Sequence, residues 1–376
     1  MSTVLDTATD SGEIRDITII GAGPVGLSTA FWAGMRQASA RIVDSLPDIG
    51  GQLTALYPEK WIFDVPGHPR VLAKDLVAQL REQALEPFDV PVYLETTASA
   101  IRYEESPEGE RIVVLETDRG ELRSRTVIVS GGHGAFEPKR LPASDIDMAP
   151  WEGRGAHYLV TEKSAFAGKH VVVVGGGDSA FDWVVNLLDT AEKITLVHRR
   201  DGFRAHEATV AEVRAAAADG RVDLRIPSVI RGVEGNGSIE AIELHHPNDD
   251  SIAPERLACD AVLLQLGFST KLGPLKEWGF ALRKNAIEVD SLMHTSLEGV
   301  WACGDITTFD GKLKLIATGF AESAIAVAQA VQSFRPDMKL QPAYSTNTGV
   351  PGATPDDVTP SYVDPSQAPG VAGGQV

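Results

Sequence analysis

The chain has 376 residues, 43% of them hydrophobic and 23% charged, with a formal net charge of −18. That length suits two domains rather than one, the composition is that of a globular enzyme, and the negative charge argues against nonspecific nucleic-acid binding. The first sixteen residues are polar and acidic and lack the apolar core of a signal peptide. No apolar run approaches the length that spans a bilayer, so a cytoplasmic protein without membrane attachment is expected. The two cysteines, Cys259 and Cys303, are far apart and form no Cys-x-x-Cys pair. This excludes a disulfide-rich secreted scaffold and favours two thiols packed as core residues.

Residues 16–20 read as a buried strand that runs straight into Gly21-Ala22-Gly23-Pro24-Val25-Gly26. Residues 27–36 then suit a helix, and a second strand ends at Ile42-Val43-Asp44. This is a Gly-x-Gly-x-x-Gly loop in a strand–turn–helix–strand setting, the pattern of a dinucleotide site. The first glycine makes the tight turn, the second admits a pyrophosphate against the backbone, and the third lets helix and strand pack closely. Free N–H groups at the helix start hold the phosphates. Asp44 is placed to accept hydrogen bonds from ribose hydroxyls.

The pattern recurs. Residues 170–174 form an apolar strand leading into Gly175-Gly176-Gly177-Asp178-Ser179-Ala180, with alanine in the third position. A helix over 179–188 and a strand over 194–197 follow, and that strand runs into His198-Arg199-Arg200. Asp44 and His198 each lie 23 residues after the first glycine of their loop. Where the first fold carries an acid, the second carries a basic cluster, which suits the 2′-phosphate of NADPH better than the free hydroxyl of NADH.

Further along, Val300-Trp301-Ala302-Cys303-Gly304-Asp305 reads as a short strand ending in Gly-Asp, and Ile316-Ala317-Thr318-Gly319 opens an alanine-rich helix. The positive end of such a helix, aimed at a flavin, would stabilise negative charge on the reduced ring. This makes the first fold the better place for bound FAD; the alternative for this helix, which the pattern alone does not exclude, is a capped C-terminal packing helix. Residues 14–134 joined with 275–345 are expected to form an FAD-binding domain, with an NADPH-binding domain over 135–274 inserted near Gly131-Gly132 and Gly267. Residues 346–376, rich in Pro, Gly, Ser and Thr, read as a disordered tail. His245-His246 with Asp249-Asp250 reads as a solvated loop, so no metal site is expected.

These motifs, with Gly50-Gly51-Gln52-Leu53, Tyr57-Pro58-Glu59-Lys60, 175–183 (GGGDSAFDW), 198–207 (HRRDGFRAHE), 314–320 (KLIATGF) and 340–346, resemble the low-molecular-weight thioredoxin-reductase superfamily. The likeness is closer to the ferredoxin/flavodoxin–NADP+ reductases of that type (type 2), and runs from Asp16 to about Thr346. It implies an α/β fold of two Rossmann-like three-layer nucleotide-binding domains, thioredoxin-reductase-like, the second inserted in the first. It also separates the chain from thioredoxin reductases, which carry a Cys-x-x-Cys pair where this sequence has residues 155–160.

The resemblance implies FAD contacts at Gly21, Gly23, Gly26, Asp44, Gln52, Tyr57, the backbone of Ala98, Phe136, Asp305 and Thr346. Tyr57 would cover one flavin face, and Tyr344 the other face, in the partner subunit of a homodimer. NADPH would be held at Gly175, Gly177, Asp178 and Ser179, with Arg199, Arg200 and Arg204 on its 2′-phosphate. Cys303 stands where the family has a small residue such as alanine. Hydride transfer from nicotinamide to flavin needs no side-chain acid, base or nucleophile, so no catalytic residue is assigned.

Ferredoxin or flavodoxin is the implied electron partner. Both carriers are usually acidic, so docking on this acidic chain calls for a local basic face, with Lys60, Lys139, Arg140, Lys312 and Lys314 as candidates. Two other readings compete. A flavin-dependent NADPH monooxygenase is suggested by Trp151-x-Gly153-x-x-x-His157, a partial imitation of its motif. A non-catalytic FAD/NADPH redox sensor would use the same phosphate sites.

Overall fold

The computed structural model describes residues 13–351 apart from 133, 143, 144, 161, 342–344 and 346–348. Its contacts divide the chain into two units. The first contains the residues up to Ile49, Ala78–Gly131 and those from Glu277 onward; the second contains Gly50–Val77 and Gly132–Lys276.

The first unit is built on a seven-stranded sheet. Arg15–Ile20 lies between Ala40–Val43 and Gly120–Val129, with Val92–Tyr93 outside Ala40–Val43, all parallel. Val300–Ala302, from far along the chain, adds in parallel beside the end of Gly120–Val129. The start of that long strand turns instead into an antiparallel meander with Arg111–Thr117 and Ala98–Glu105. Strands covered on both faces need apolar side chains throughout. Ile17, Ile19, Ile42, Val43, Val127, Ile128 and Val129 are accordingly fully buried, each contributing about 1.5–3 kcal/mol over exposure. The helix Pro24–Met35 packs beside the helix Ile316–Phe334, with Ser28 Oγ and Ser323 Oγ hydrogen-bonded at 2.8 Å.

The second unit carries a five-stranded parallel sheet in the order Ala156–His157, Ala261–Leu264, His170–Val174, Lys193–Val197, Val222–Arg225. Strand side chains alternate between faces, and His170–Val174 shows it. Val171 and Val173 join the core with Phe181, Trp183 and Leu187 of the helix Asp178–Leu187, while Val172 and Val174 join the core with Ile230, Ile242 and Leu244. The latter three belong to an antiparallel sheet of Val229–Glu234, Ala241–His245 and Glu255–Ala258. The chain enters and leaves this unit along an antiparallel ribbon, Ala135–Pro138 paired with Phe268–Lys271.

Residues 50–77, expected with the first fold by their place in the chain, group with the second unit. Apart from the start of the helix Ala73–Ala84 they form only short elements, Gln52–Ala55 and the pair Trp61–Ile62 with Val71–Leu72. Their Lys60 ammonium pairs with Asp182 on the helix Asp178–Leu187. No helix of the described residues is long and apolar enough to cross a membrane. The expected tail over 346–376 and the two residues placed in it or just before it, Thr346 and Tyr344, lie outside the described residues except for 349–351.

Candidate functional site

The first glycine loop joins Arg15–Ile20 to Pro24–Met35, and each glycine there answers to a different neighbour. Gly21 has φ +108° and donates its N–H to Val43 O at 2.8 Å; a Cβ on it would lie 2.6 Å from Ser130 O. A Cβ on Gly26 would lie 1.8 Å from Gly21 O. Protein packing thus accounts for both. Gly23 is different: its φ of −71° suits any residue, and a Cβ there would meet nothing within 4 Å. Gly23 is also the helix N-cap and offers no side-chain acceptor to the N–H groups of the first turn, while Pro24 at the helix start has no N–H to satisfy. The open cradle and free donors fit a pyrophosphate.

Asp44 closes this loop at the end of Ala40–Val43. Its Oδ2 accepts from Ala22 N at 2.6 Å and its Oδ1 from Leu46 N at 2.9 Å. Burial pushes its carboxyl above the ordinary value, while the N–H groups of Ala22, Leu46 and Ser45 pull it back. The carboxylate is therefore oriented by backbone donors and keeps acceptor capacity for ribose hydroxyls.

The Gly-Asp segment reaches the same place. Gly304 has φ +79°, and a Cβ on it would lie 3.2 Å from Val25 Cγ2. A Cβ on Gly319, in the first turn of Ile316–Phe334, would lie 2.5 Å from that same Cγ2. Val25 of the glycine loop is thus seated against Gly304 and Gly319, which brings Asp305 and an uncapped helix start to the first loop. The chain positions of these two glycines carry no sequence signal linking them to Val25; only the fold shows it.

The second loop repeats the device. Gly175 N donates to Val197 O at 3.1 Å, and a Cβ on Gly175 would lie 2.4 Å from Gln265 O. Gly177, the N-cap of Asp178–Leu187, has φ −108°, no side-chain cap, and nothing within 4 Å of a Cβ. Ser179 Oγ donates to Gln265 Oε1 at 2.6 Å, and Asp178 Oδ1 accepts from His206 N at 2.8 Å. Both side chains hold the loop's surroundings in place. Gln265 is a positioning residue that sequence reading missed, since nothing near it forms a motif.

The segment 199–206 folds over this loop, with Arg204 N donating to Gly176 O at 2.8 Å. Arg199, Arg200 and Arg204 are exposed, and none is in an ion pair among the described residues. His198 differs: its Nε2 contacts Gly202 O at 3.2 Å and its ring packs on Phe203. Burial pushes the His198 imidazole down, and the three arginines add to that against the opposing Gly202 contact. The positive charge of the cluster comes from guanidinium groups, the geometry that matches a phosphate in bidentate fashion.

The remaining expected residues are distributed between the units. Ala98 opens the strand Ala98–Glu105 of the first unit. Gln52, Tyr57 and Phe136 fall in the second unit, with Gln52 opening Gln52–Ala55 and Phe136 in the ribbon opposite Thr270. Lys60 lies over the Tyr57 ring at 5.7 Å. The basic docking face is corrected: Lys60 pairs with Asp182, Arg140 with Glu152 at 3.7 Å, and Lys312 with Glu322. Three of the five expected cations are neutralised because each folds beside a carboxylate.

Cys303 is fully buried 3.8 Å from Thr29 Oγ1, and burial pushes its thiol up to about 12; Cys259, buried in the other unit, is likewise raised to about 12. Neither is a nucleophile at neutral pH. His157, the end of the monooxygenase-like motif, sits in the strand Ala156–His157 with its ring edge-on to Phe166 at 5.2 Å. Burial pushes its imidazole down, which is a packing role.

Each unit thus carries a glycine loop between a parallel strand and a helix, the arrangement of a dinucleotide-binding fold. Residues 15–330 match the family model for pyridine nucleotide-disulphide oxidoreductases. The Lactococcus lactis thioredoxin reductase (FR conformation) superposes with a TM-score of 0.66 at 21% identity, covering 86% of this chain and 100% of its own. The T. acidophilum thioredoxin reductase gives 0.67 at 22% identity, covering 86% and 99%. These two likenesses concern the fold. In sequence, a ferredoxin–NADP reductase of Thermus thermophilus is 48% identical over 339 residues, 90% of this chain and 98% of the relative. One of Enterococcus faecalis is 42% identical over 346 residues, 91% and 99%. The chain belongs to the pyridine nucleotide-disulphide oxidoreductase family and, within it, to the ferredoxin–NADP reductases.

Proposed function

We propose that the chain holds FAD on the first loop, takes NADPH on the second, and passes electrons between NADPH and a one-electron carrier, ferredoxin or flavodoxin. The observation that carries this reading is the repeated cradle with opposite electrostatics: Asp44 beside the first, and beside the second three arginines in no ion pair among the described residues. Gly21, Gly23, Gly26 and Asp44 bind the pyrophosphate and ribose of FAD, and Asp305 and the start of Ile316–Phe334 face its flavin side. Gly175 and Gly177 bind the NADPH pyrophosphate, Asp178 and Ser179 hold the loop, and Arg199, Arg200 and Arg204 grip the 2′-phosphate. Bound FAD supplies the exchange of one hydride for two single electrons. The protein's share is alignment, exclusion of water and fixed dipoles, without a side-chain proton donor. Gln52, Tyr57, the Ala98 backbone and Phe136 belong to the same FAD-binding reading, as do Tyr344 and Thr346. A homodimer, checked by the mass of the purified protein in solution, completes it.

Anaerobic stopped-flow mixing of the purified protein with NADPH or NADH, followed by oxidised ferredoxin, tests the reading. Rapid bleaching of a yellow flavin by NADPH, much slower bleaching by NADH, and electron passage to ferredoxin are expected. A colourless protein, or equal rates with both nucleotides, would overturn the assignment of the two loops. Bleaching without transfer to ferredoxin or flavodoxin would overturn the carrier.

A further inference from the structure

Lys312 and Glu322 form a nearly fully buried ion pair, with side chains 6% and 7% exposed. Both Glu322 oxygens accept from Lys312 Nζ, at 2.5 and 2.6 Å, and Oε2 also accepts from the Gly304 N–H at 2.7 Å. On the other side of the same residue, Thr307 Oγ1 donates to Gly304 O at 2.8 Å. Gly304 is therefore held by its N–H and its carbonyl at once. Its left-handed backbone (φ +79°) lies beside Val25 of the first glycine loop, with no room for a side chain between them, and leads directly into Asp305. Glu322 sits one turn after Gly319 on Ile316–Phe334, and Gly319 likewise lies close beside the same Val25. A buried pair of this kind gains little stability over apolar side chains of equal volume. What it provides is an acceptor whose position cannot drift, since the ammonium pins both oxygens.

We propose that Glu322, pinned by Lys312, is a positioning residue for FAD: it fixes the Gly304 peptide, and with it Asp305 and the start of the helix, against the first glycine loop. It acts as a hydrogen-bond acceptor and not through its charge, because the pair is neutral as a unit. The inference rests on the reading that the first loop holds FAD. Three full-length variants test it: Lys312→Met/Glu322→Gln keeps an acceptor and removes both charges, Lys312→Met/Glu322→Leu removes the acceptor as well, and Thr307→Val frees the Gly304 carbonyl.

The readouts are FAD release from the diluted holoenzyme by recovery of flavin fluorescence, the visible circular dichroism of the bound flavin, the melting temperature, and the KM for NADPH. The glutamine variant is expected to keep FAD within about threefold of wild type, whereas the leucine and valine variants release it about tenfold more readily with altered flavin dichroism. The KM for NADPH reads the second loop apart from FAD retention. Wild-type FAD retention in a folded leucine variant overturns the proposal, as does loss in the glutamine variant equal to that in the leucine variant. If the leucine variant does not fold, wild-type retention in Thr307→Val overturns it. A wild-type protein that binds no FAD overturns the underlying reading as well, which separates the two failures.

Discussion

No packing contact among the described residues demands a glycine at Gly23 or Gly177, whereas packing accounts for their neighbours Gly21, Gly26 and Gly175. The contrast yields a direct test. Gly23→Ala and Gly177→Ala put a methyl group into open space, and the restriction of the unfolded chain offsets a weaker helix cap of comparable size. Each variant should melt within about 1 kcal/mol of wild type, while Gly23→Ala weakens FAD binding and Gly177→Ala weakens NADPH binding by about tenfold or more. Gly26→Ala, with its Cβ 1.8 Å from Gly21 O, should unfold more readily. Thermal melts beside ligand titrations would decide. A large loss of stability in the apoprotein of Gly23→Ala would show that protein packing sets that position after all.

Between elements, the contact that organises the first site is the seat of Val25 against the helix Ile316–Phe334. Adding a Cβ at Gly319 brings it 2.5 Å from Val25 Cγ2. The overpacking costs about 1–3 kcal/mol, against roughly 1 kcal/mol gained from alanine's better helix propensity. Gly319→Ala alone should therefore lower the urea midpoint. Combined with Val25→Ala, which clears the space, the loss should fall short of the sum of the single losses by about 1 kcal/mol. Additive losses would mean that the two residues do not share this contact.

Across the whole molecule, a net charge of −18 is set against Arg199, Arg200 and Arg204, which form no ion pair among the described residues. On the proposed reading NADPH, itself an anion, is repelled by the total charge and attracted by the cluster, and salt screens both beyond a Debye length of about 10 Å at 0.1 M. The close contact dominates, so kcat/KM for NADPH should fall as salt rises. Arg199→Ala/Arg200→Ala should lower kcat/KM for NADPH about 10–100-fold, the worth of one or two charge-assisted bonds, with little change for NADH. The same variant should flatten the salt dependence. Steady-state rates with both nucleotides across a salt series measure it; an unchanged preference for NADPH would place the 2′-phosphate elsewhere.

The two cradles were legible in the sequence because their constraints are local. A tight turn, a close strand–helix approach and an open phosphate seat each demand a glycine at a set spacing, and the charge at the end of the next strand follows within 23 residues. Valine and isoleucine runs marked the buried parallel strands for the same reason. Charges resisted reading because their state depends on what folds beside them. Lys60 meets Asp182 across 122 positions of chain, and Lys312 is buried by its pairing with Glu322 instead of facing a partner. Cys303 is silent through burial, which composition cannot show. Residues 50–77 group with the second unit although their place in the chain suggests the first. By itself the sequence determined the two glycine loops and the charge that follows each, since steric limits on the backbone act between near neighbours. The tertiary structure alone decided which charged and small side chains pack beside those loops, since desolvation and packing act between residues that the chain brings together from far apart.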